Sequence, residues 1–342
     1  MSEEALDRIF NDEDRQRLLQ YLHDAGALNE HSQYRGTARR GYDVQPGAGL
    51  NVGERADPFS LSDLLRSKVG FYLHPDYLYQ NTMFQVVGGM DRLPSALAAR
   101  LHNRITYRAA VREISHTTAG VAVVYADHRG RLRKAEADYC VCTLPLCVLA
   151  DLPSDMSPEL RTAIGAVSYT PAGKIGLQFK RRFWEEDDGI FGGVTRTDQE
   201  ISEIVYPSMG FNERKGILVG YYVRGNTTAK AMGERTPAER QAVALEQGER
   251  IHPQYRGEFE TAFSVSWQRV RWNRGGWAQF STEARINAYP VLLRPDRRLY
   301  LAGDHLTNTN AWMNGAFESA RHVATAIHVR VGQEYPQRTS GA

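Results

Sequence analysis

Apolar residues recur along this chain with two different periods, and each period predicts an element. Leu18, Leu19 and Leu22 share one face of a polar segment that opens at Asn11 and stops at Gly26, which predicts a capped helix. Ser60, with Asp63 three residues on, has the form of a capping box ahead of Leu61, Leu64 and Leu65. Between these, Tyr34 to Pro58 is rich in Gly and Arg and predicts irregular structure. Met83-Phe84-Gln85-Val86-Val87 predicts a strand, turned by Gly88-Gly89 into a helix carrying Leu93, Leu97 and Leu101. A further strand is expected over Arg104–Tyr107. Hairpin arms follow at Gly120–Ala126 and Leu132–Ala137, joined by Asp127-His128-Arg129-Gly130. Tyr139–Leu144 is almost continuously apolar, as in a buried parallel strand.

Alternation returns at Gly173–Phe179. Ile175, Leu177 and Phe179 point one way, while Lys174, Gly176 and Gln178 point the other. Strands are predicted again at Ile201–Tyr206, Gly216–Tyr222 and Phe259–Trp267, and a helix at Pro237–Ile251 with Pro in its first turn. Strand, loop and helix close the chain over Leu299–Val331. This order reads as α+β (α/β-like) with a mixed sheet and no sharp boundary.

The totals narrow the possibilities. A length of 342 residues allows about two domains. Lys plus Arg number 42 against 40 Asp plus Glu, a net charge of +2 that gives no reason to expect nucleic acid or an anionic membrane as partner. No run of ~18 apolar residues is present, so no bilayer span is expected. The acidic start, Met1-Ser2-Glu3-Glu4-Ala5, lacks the apolar stretch of a secretion signal. Cys140, Cys142 and Cys147 lie close together with no histidine nearby, which favours reduced thiols over a zinc site. A cytoplasmic setting is the expectation.

Candidate chemistry concentrates near the C-terminus. Leu299-Tyr300-Leu301-Ala302-Gly303-Asp304 is a short apolar strand ending in Gly-Asp, and Trp312-Met313-Asn314-Gly315-Ala316 opens a helix on small residues. A carboxylate after a buried strand suits a ribityl or ribose hydroxyl. Gly315 and Ala316 allow close backbone approach, and a helix start carries partial positive charge. Alternatively, Asn314 simply caps a surface helix whose Ala320 and Val323 pack in the core. Trp277 and Trp312 lie beside glycine-rich backbone, where each suits a pocket wall or a core position equally. Lys174 belongs either to a solvated strand face or to a pocket. Gly47-Ala48-Gly49-Leu50-Asn51-Val52-Gly53 imitates a dinucleotide fingerprint, but Arg39–Pro46 is not a buried strand and Pro58 opposes a following helix. A true G-x-G-x-x-G between strand and helix is not found, and no histidine is assigned a role.

Together these segments resemble the flavin-dependent amine oxidase family, and within it the bacterial L-amino-acid oxidases. The likeness is carried by Met83–Asp91, Tyr139–Pro145, Gly173–Phe179, Gly275-Gly276-Trp277 and the Gly303–Ala320 block. It implies FAD as cofactor and an amine-oxidase FAD-binding domain lacking its first βαβ unit, interleaved with a mixed-sheet and helical substrate domain. The corresponding segments are 1–82 (helical, substrate domain), 83–155 (FAD domain), 156–290 (substrate domain), 291–335 (C-terminal FAD segment) and the tail 336–342.

The resemblance also implies roles. Val111, after the strand Arg104–Tyr107, matches the position whose backbone meets the adenosine side of FAD. Gly303 and Asp304 match the ribityl–phosphate side. Trp312, Met313, Asn314, Gly315 and Ala316 match the segment under the flavin ring, where the helix start would stabilise charge at its N1–O2 edge, and Trp267 is a further cofactor contact. Trp277 and Trp312 match the walls of an aromatic cage, and Lys174 matches the lysine that bonds a water at flavin N5. The implied reaction is hydride transfer from the amine Cα–H to flavin N5, giving an imine that hydrolyses to a 2-oxo acid and ammonia, with O2 reduced to hydrogen peroxide.

The family's fingerprint, its acidic ribose ligand and the arginine that grips the substrate carboxylate match nothing in this chain. Three explanations compete: a large subunit whose separate small subunit carries the fingerprint, a relative that has lost FAD and binds partners, and a truncation. The Met start and the joint presence of Asp304, Lys174 and the small residues favour the first. A flavin monooxygenase giving a carboxamide is the alternative chemistry. As a corollary, Tyr139–Leu144 and Leu299–Ala302 are expected to be stripped of neighbours and exposed.

Overall fold

The computed structural model describes residues 11–24, 28–34, 42–44, 46–57, 85–197 and 199–335. The chain divides into two compact units, Met1–Tyr107 and Arg108–Ala342.

In the first unit, the helix Asp12–Asp24 opens as expected. The Asp14 amide donates to Asn11 Oδ1 at 2.8 Å and the Asn11 amide to Asp14 Oδ2 at 3.2 Å, a reciprocal cap. Leu18 and Leu19 remain exposed. The expected stop at Gly26 and the Ser60–Asp63 box with Leu61, Leu64 and Leu65 lie outside the described residues. Strands β1 (Tyr42–Val44) and β2 (Glu54–Arg55) pair antiparallel within the stretch expected to be irregular. The Gly47–Gly53 loop therefore joins two short strands, and no helix follows it through Asp57. That geometry removes the fingerprint-like reading of these glycines.

Two strand expectations fail here. Met83 and Phe84 lie outside the described residues, and Gln85–Val87 form no strand: the Gly89 amide closes a turn onto the Val86 carbonyl at 3.1 Å. Arg104–Tyr107 is not a strand either, because His102–Arg104 is a 3-10 turn at the end of the helix Arg92–Arg100. A strand needs a neighbour to satisfy its backbone, and neither segment has one among the described residues.

The second unit is built from small sheets. Strands β3 (Ala110–His116), β4 (Val121–Ala126) and β5 (Leu132–Ala137) form an antiparallel meander, with β4 and β5 at the expected hairpin. Strand β6 (Cys140–Cys142) follows, then β7 (Ser168–Thr170), β8 (Ala172–Phe179), β9 (Val194–Arg196), β10 (Glu203–Val205), β11 (Gly216–Arg224), β12 (Phe259–Ser266), β13 (Trp277–Gln279) and β14 (Leu299–Leu301). The largest sheet has the order β12-β8-β11-β10-β9. Strand β8 lies inside it, paired with β12 and β11, and its Ile175, Leu177 and Phe179 are buried while Lys174 is exposed, as the alternation predicted.

Around β8 sits a core of Phe183, Trp184, Tyr221 and Tyr255, closed by the helix Pro237–Glu249. Thr236 and Glu239 cap that helix reciprocally. Arg182 and Glu185 form a fully buried ion pair at its edge, and Arg182 holds the Glu185 carboxyl below its usual range. A second core lies between β3, β6, β14 and the helix Pro158–Gly165, and includes Ile114, Leu146, Leu149 and Leu292.

Strands β6 and β14 pair in parallel as a two-stranded sheet. The exposure expected of both is only half right. Val141 is 42% exposed, but Leu299–Ala302 are all buried, because Tyr300 and Ala302 pack on Val323 of the helix Met313–Glu334 while Leu299 and Leu301 point into the second core. The cysteines are free, and burial pushes the Cys142 thiol up to about 11, which keeps it protonated. No described helix is long and apolar enough to cross a membrane.

Leu177 is fully buried on the interior strand β8. Leu177→Ala should therefore destabilise the fold by about 2–5 kcal/mol, read from the shift in a denaturant midpoint.

Candidate cofactor and substrate site

The site is built where β14 ends. The Ala302 amide extends the β6–β14 ladder by donating to the Cys142 carbonyl at 3.0 Å, and the chain then leaves the sheet. Gly303 adopts φ +148°, and a Cβ there would lie 2.4 Å from His305 Cε1, so the imidazole folds back over a position that only glycine serves. The Gly303 amide donates to Ser319 Oγ at 3.0 Å, which ties the strand end to the helix Met313–Glu334.

Asp304 opens a single 3-10 turn, and its Oδ2 accepts from the Ala311 amide at 2.8 Å. Ala311 has φ +67°, a strained conformation for a residue with a Cβ, held by that carboxylate just before the helix begins. Trp312, rather than Asn314, occupies the capping position, and it makes no side-chain cap bond. The capping alternative for Asn314 is thereby corrected, and so is its packing of Ala320, which is exposed while Val323 is buried. Gly315 is buried, and a Cβ on it would come within 2.5 Å of the Thr309 carbonyl oxygen.

A cavity of about 270 Å3 opens between this turn and β13. Trp277, Gly303, Asp304 and Ala316 line it, so four of the sequence-predicted residues converge. Trp277 forms a wall after Gly275 and Gly276, whose lack of side chains lets β13 press against Tyr169 and Ala172. The remaining predicted residues do not line the cavity. Trp312 is half-buried and Met313 and Asn314 are exposed on the first turn of the helix. Trp267 lies in a 3-10 turn after β12. Val111 is inside β3, paired with Tyr125, rather than after a strand at 104–107.

Lys174 stands on the open face of β8, with Nζ 4.1 Å from the centre of the Tyr222 ring. The Arg224 guanidinium lies 4.1 Å from the same ring. Partial loss of hydration at Nζ, then the positive charge of Arg224, pull the Lys174 ammonium below its ordinary pKa, against an opposing pull from Glu203.

The lining also includes residues to which the sequence reading gave no site role, among them Thr143, Tyr169, Asn273 and His305. His305 is 3% exposed, and its Nε2 finds no hydrogen-bond partner among the described residues. Burial pulls its pKa below the ordinary histidine value, so the ring is neutral. Adjacency to Asp304 was the one available signal, and a lone histidine after an acid carries little information.

The order of strand, Gly-Asp turn, aromatic wall and small-residue helix suits a flat cofactor, and the family comparison decides which one. The flavin containing amine oxidoreductase profile matches residues 7–328. The chain belongs to this family. The FAD implied by the sequence agrees with it. YobN of Bacillus subtilis (strain 168) is 30% identical over 280 residues, 79% of this chain and 56% of YobN. RebO of Lentzea aerocolonigenes, a flavin-dependent L-tryptophan oxidase, is 32% identical over 259 residues, 73% of this chain and 54% of RebO. The structure of wild-type putrescine oxidase bound to putrescine superposes with a TM-score of 0.63 at 20% identity, covering 72% of this chain and 54% of that one. This likeness supports the amine-oxidase fold with mixed sheets and helices. The chain spans about half the length of the curated relatives it matches.

The cavity fits part of such a cofactor. Small residues line one side, a flat indole another, and a buried imidazole nitrogen waits for a partner. Its volume is below the usual range for whole small-molecule sites, about 300–1,000 Å3, so it has room for a segment of a dinucleotide but not for all of it.

Two outcomes are expected here. Gly315→Ala should cost about 1–3 kcal/mol in unfolding experiments, because the helix start must retreat from the Thr309 backbone. Arg224→Gln should raise the Lys174 pKa, followed by NMR titration of isotopically labelled lysine, since it removes a like charge and frees Glu203.

Proposed function

We propose that this chain is the large subunit of an FAD-dependent L-amino-acid oxidase, in which a separate small subunit supplies the G-x-G-x-x-G part of the FAD site. The observation that carries this reading is the convergence of Trp277, Gly303, Asp304 and Ala316 on one cavity at the end of a parallel strand. Bound flavin would accept a hydride from the amine carbon and pass the electrons to O2, giving a 2-oxo acid, ammonia and hydrogen peroxide.

The chain's own residues take the remaining roles. Asp304 holds the ribityl–phosphate side through its carboxylate, and His305 offers Nε2 beside it. Gly315, Ala316, Met313 and Asn314 bring the helix start, with its partial positive charge, toward the ring. Val111 serves the adenosine side through its backbone, and Trp267 a neighbouring part of the cofactor. Trp277 and Trp312 are flat walls that orient the substrate and exclude water without adding a competing base. Lys174, with its depressed pKa, holds or moves a proton at Nζ through a bound water.

The half-open site supports a small subunit. The two-stranded β6–β14 sheet leaves Val141 exposed, and Phe317 is 48% exposed on the site's helix. A cavity of about 270 Å3 also leaves most of FAD to be held by other residues.

The test is co-purification with candidate small subunits, followed by a visible spectrum and product analysis. A yellow complex that releases peroxide, ammonia and a 2-oxo acid from an L-amino acid is the expected result. A carboxamide product would place the protein among monooxygenases instead, and a colourless complex would mark a non-catalytic relative. In the yellow complex, Asp304→Asn should weaken FAD binding about 10- to 100-fold, the usual worth of a hydrogen bond to a charged group.

A further inference from the structure

Next to the cofactor cavity lies a second one of about 750 Å3, well within the size of small-molecule sites. Trp277 and Ala278 line both, so the two cavities are neighbours across a shared wall. Two arginines, Arg224 and Arg285, line the second cavity, and no aspartate or glutamate does.

The two guanidiniums are in different situations. Arg224 already has a counter-ion, Glu203, at 2.6 Å. Arg285 is half-buried on the short helix Thr282–Asn287, whose start Ser281 caps by accepting from the Ala284 amide at 3.1 Å. Its guanidinium lies 3.8 Å from the centre of the Tyr289 ring and donates to the Asn308 side-chain oxygen and the Thr307 carbonyl. Each of these neighbours is neutral, Tyr289 included, because burial raises its phenol pKa. No carboxylate pairs with Arg285 among the described residues.

A cation held half out of water without a counter-ion is costly, and the cost is relieved when an anion enters beside it. Burial accordingly pulls the Arg285 pKa below the ordinary guanidinium value. The ring beneath it and the loop oxygens beside it also restrain the guanidinium, so little side-chain freedom is lost when it grips a planar anion.

We propose that Arg285 binds a carboxylate of the substrate in this second cavity, across Trp277 from the cofactor. The inference rests on the amino-acid oxidase reading and gives that enzyme an anion-binding residue within this chain. The carboxylate is either the one on the α-carbon or one at the end of the side chain. The cavity also offers Ser281, Gln279 and Asn310 as neutral polar contacts, with Phe280 and Ile286 as apolar ones.

Binding of three probes to the full chain, together with its small subunit and FAD where these co-purify, tests the proposal by titration calorimetry. L-Norleucine carries only an α-carboxylate, 4-aminobutanoate only a distal one, and pentylamine none. One of the two carboxylates should bind about 10- to 100-fold more tightly than pentylamine, and which one does so identifies its source. Arg285→Met should abolish that preference. Ile286 is 67% exposed at the cavity wall, so Ile286→Glu leaves the core untouched and should weaken the favoured carboxylate by presenting one of its own. Equal affinity for all three probes would overturn the proposal, as would a preference that survives both substitutions. The flavin spectrum of the same samples separates the two readings. Carboxylate binding by a colourless protein would sink the oxidase and leave Arg285 in place, whereas a yellow amine oxidase indifferent to carboxylate would sink this proposal alone.

Discussion

The parallel pairing of Leu299–Leu301 with Cys140–Cys142 holds the rest of the site in place. It joins segments far apart in the chain, and both strands end beside the same cavity: Thr143 follows one, Gly303 and Asp304 the other. Because Tyr300 and Ala302 are buried against Val323, the C-terminal helix has a fixed height relative to the strand ends. The bond from the Gly303 amide to Ser319 Oγ, and that from the Ala311 amide to Asp304, then set where the helix begins. Loss of the pairing would release the Gly-Asp turn, the helix start and one wall of the cavity together.

Among the described residues, Arg224 is paired with a carboxylate, Glu203, while Lys174 and Arg285 have none in direct contact. His305 is kept neutral by burial beside Asp304. Trp277 lines both cavities, so one indole serves as a wall of each.

Much of this was legible in the residues. The alternation at Gly173–Phe179 correctly placed Lys174 on the open face of β8, because a period of two leaves no other choice once Ile175, Leu177 and Phe179 are buried. The hairpin arms and the capped helix Pro237–Glu249 followed from local turn and capping chemistry. Strand expectations failed where only a distant partner could decide them. Gln85–Val87 and Arg104–Tyr107 have apolar or β-branched residues but no neighbour to pair with among the described residues, whereas Ala110–His116 pairs with β4. The expected exposure of Leu299–Ala302 failed for a related reason: the later helix covers Tyr300 and Ala302, a core built from earlier segments covers Leu299 and Leu301, and pattern alone does not say which partners dock.

The sequence by itself determined the family, the position of the Gly-Asp turn and the small residues at the helix start, since these depend on local backbone demands that few residue types satisfy. Tertiary structure alone decided which of the predicted residues meet. It brought Trp277, Asp304 and Ala316 around one cavity with His305, and it left Val111, Trp267 and Trp312 outside that lining. It also left Arg285 facing a second cavity with no carboxylate paired to it among the described residues. Convergence of this kind is set by long-range strand pairing and helix docking, and no window along the chain contains that information.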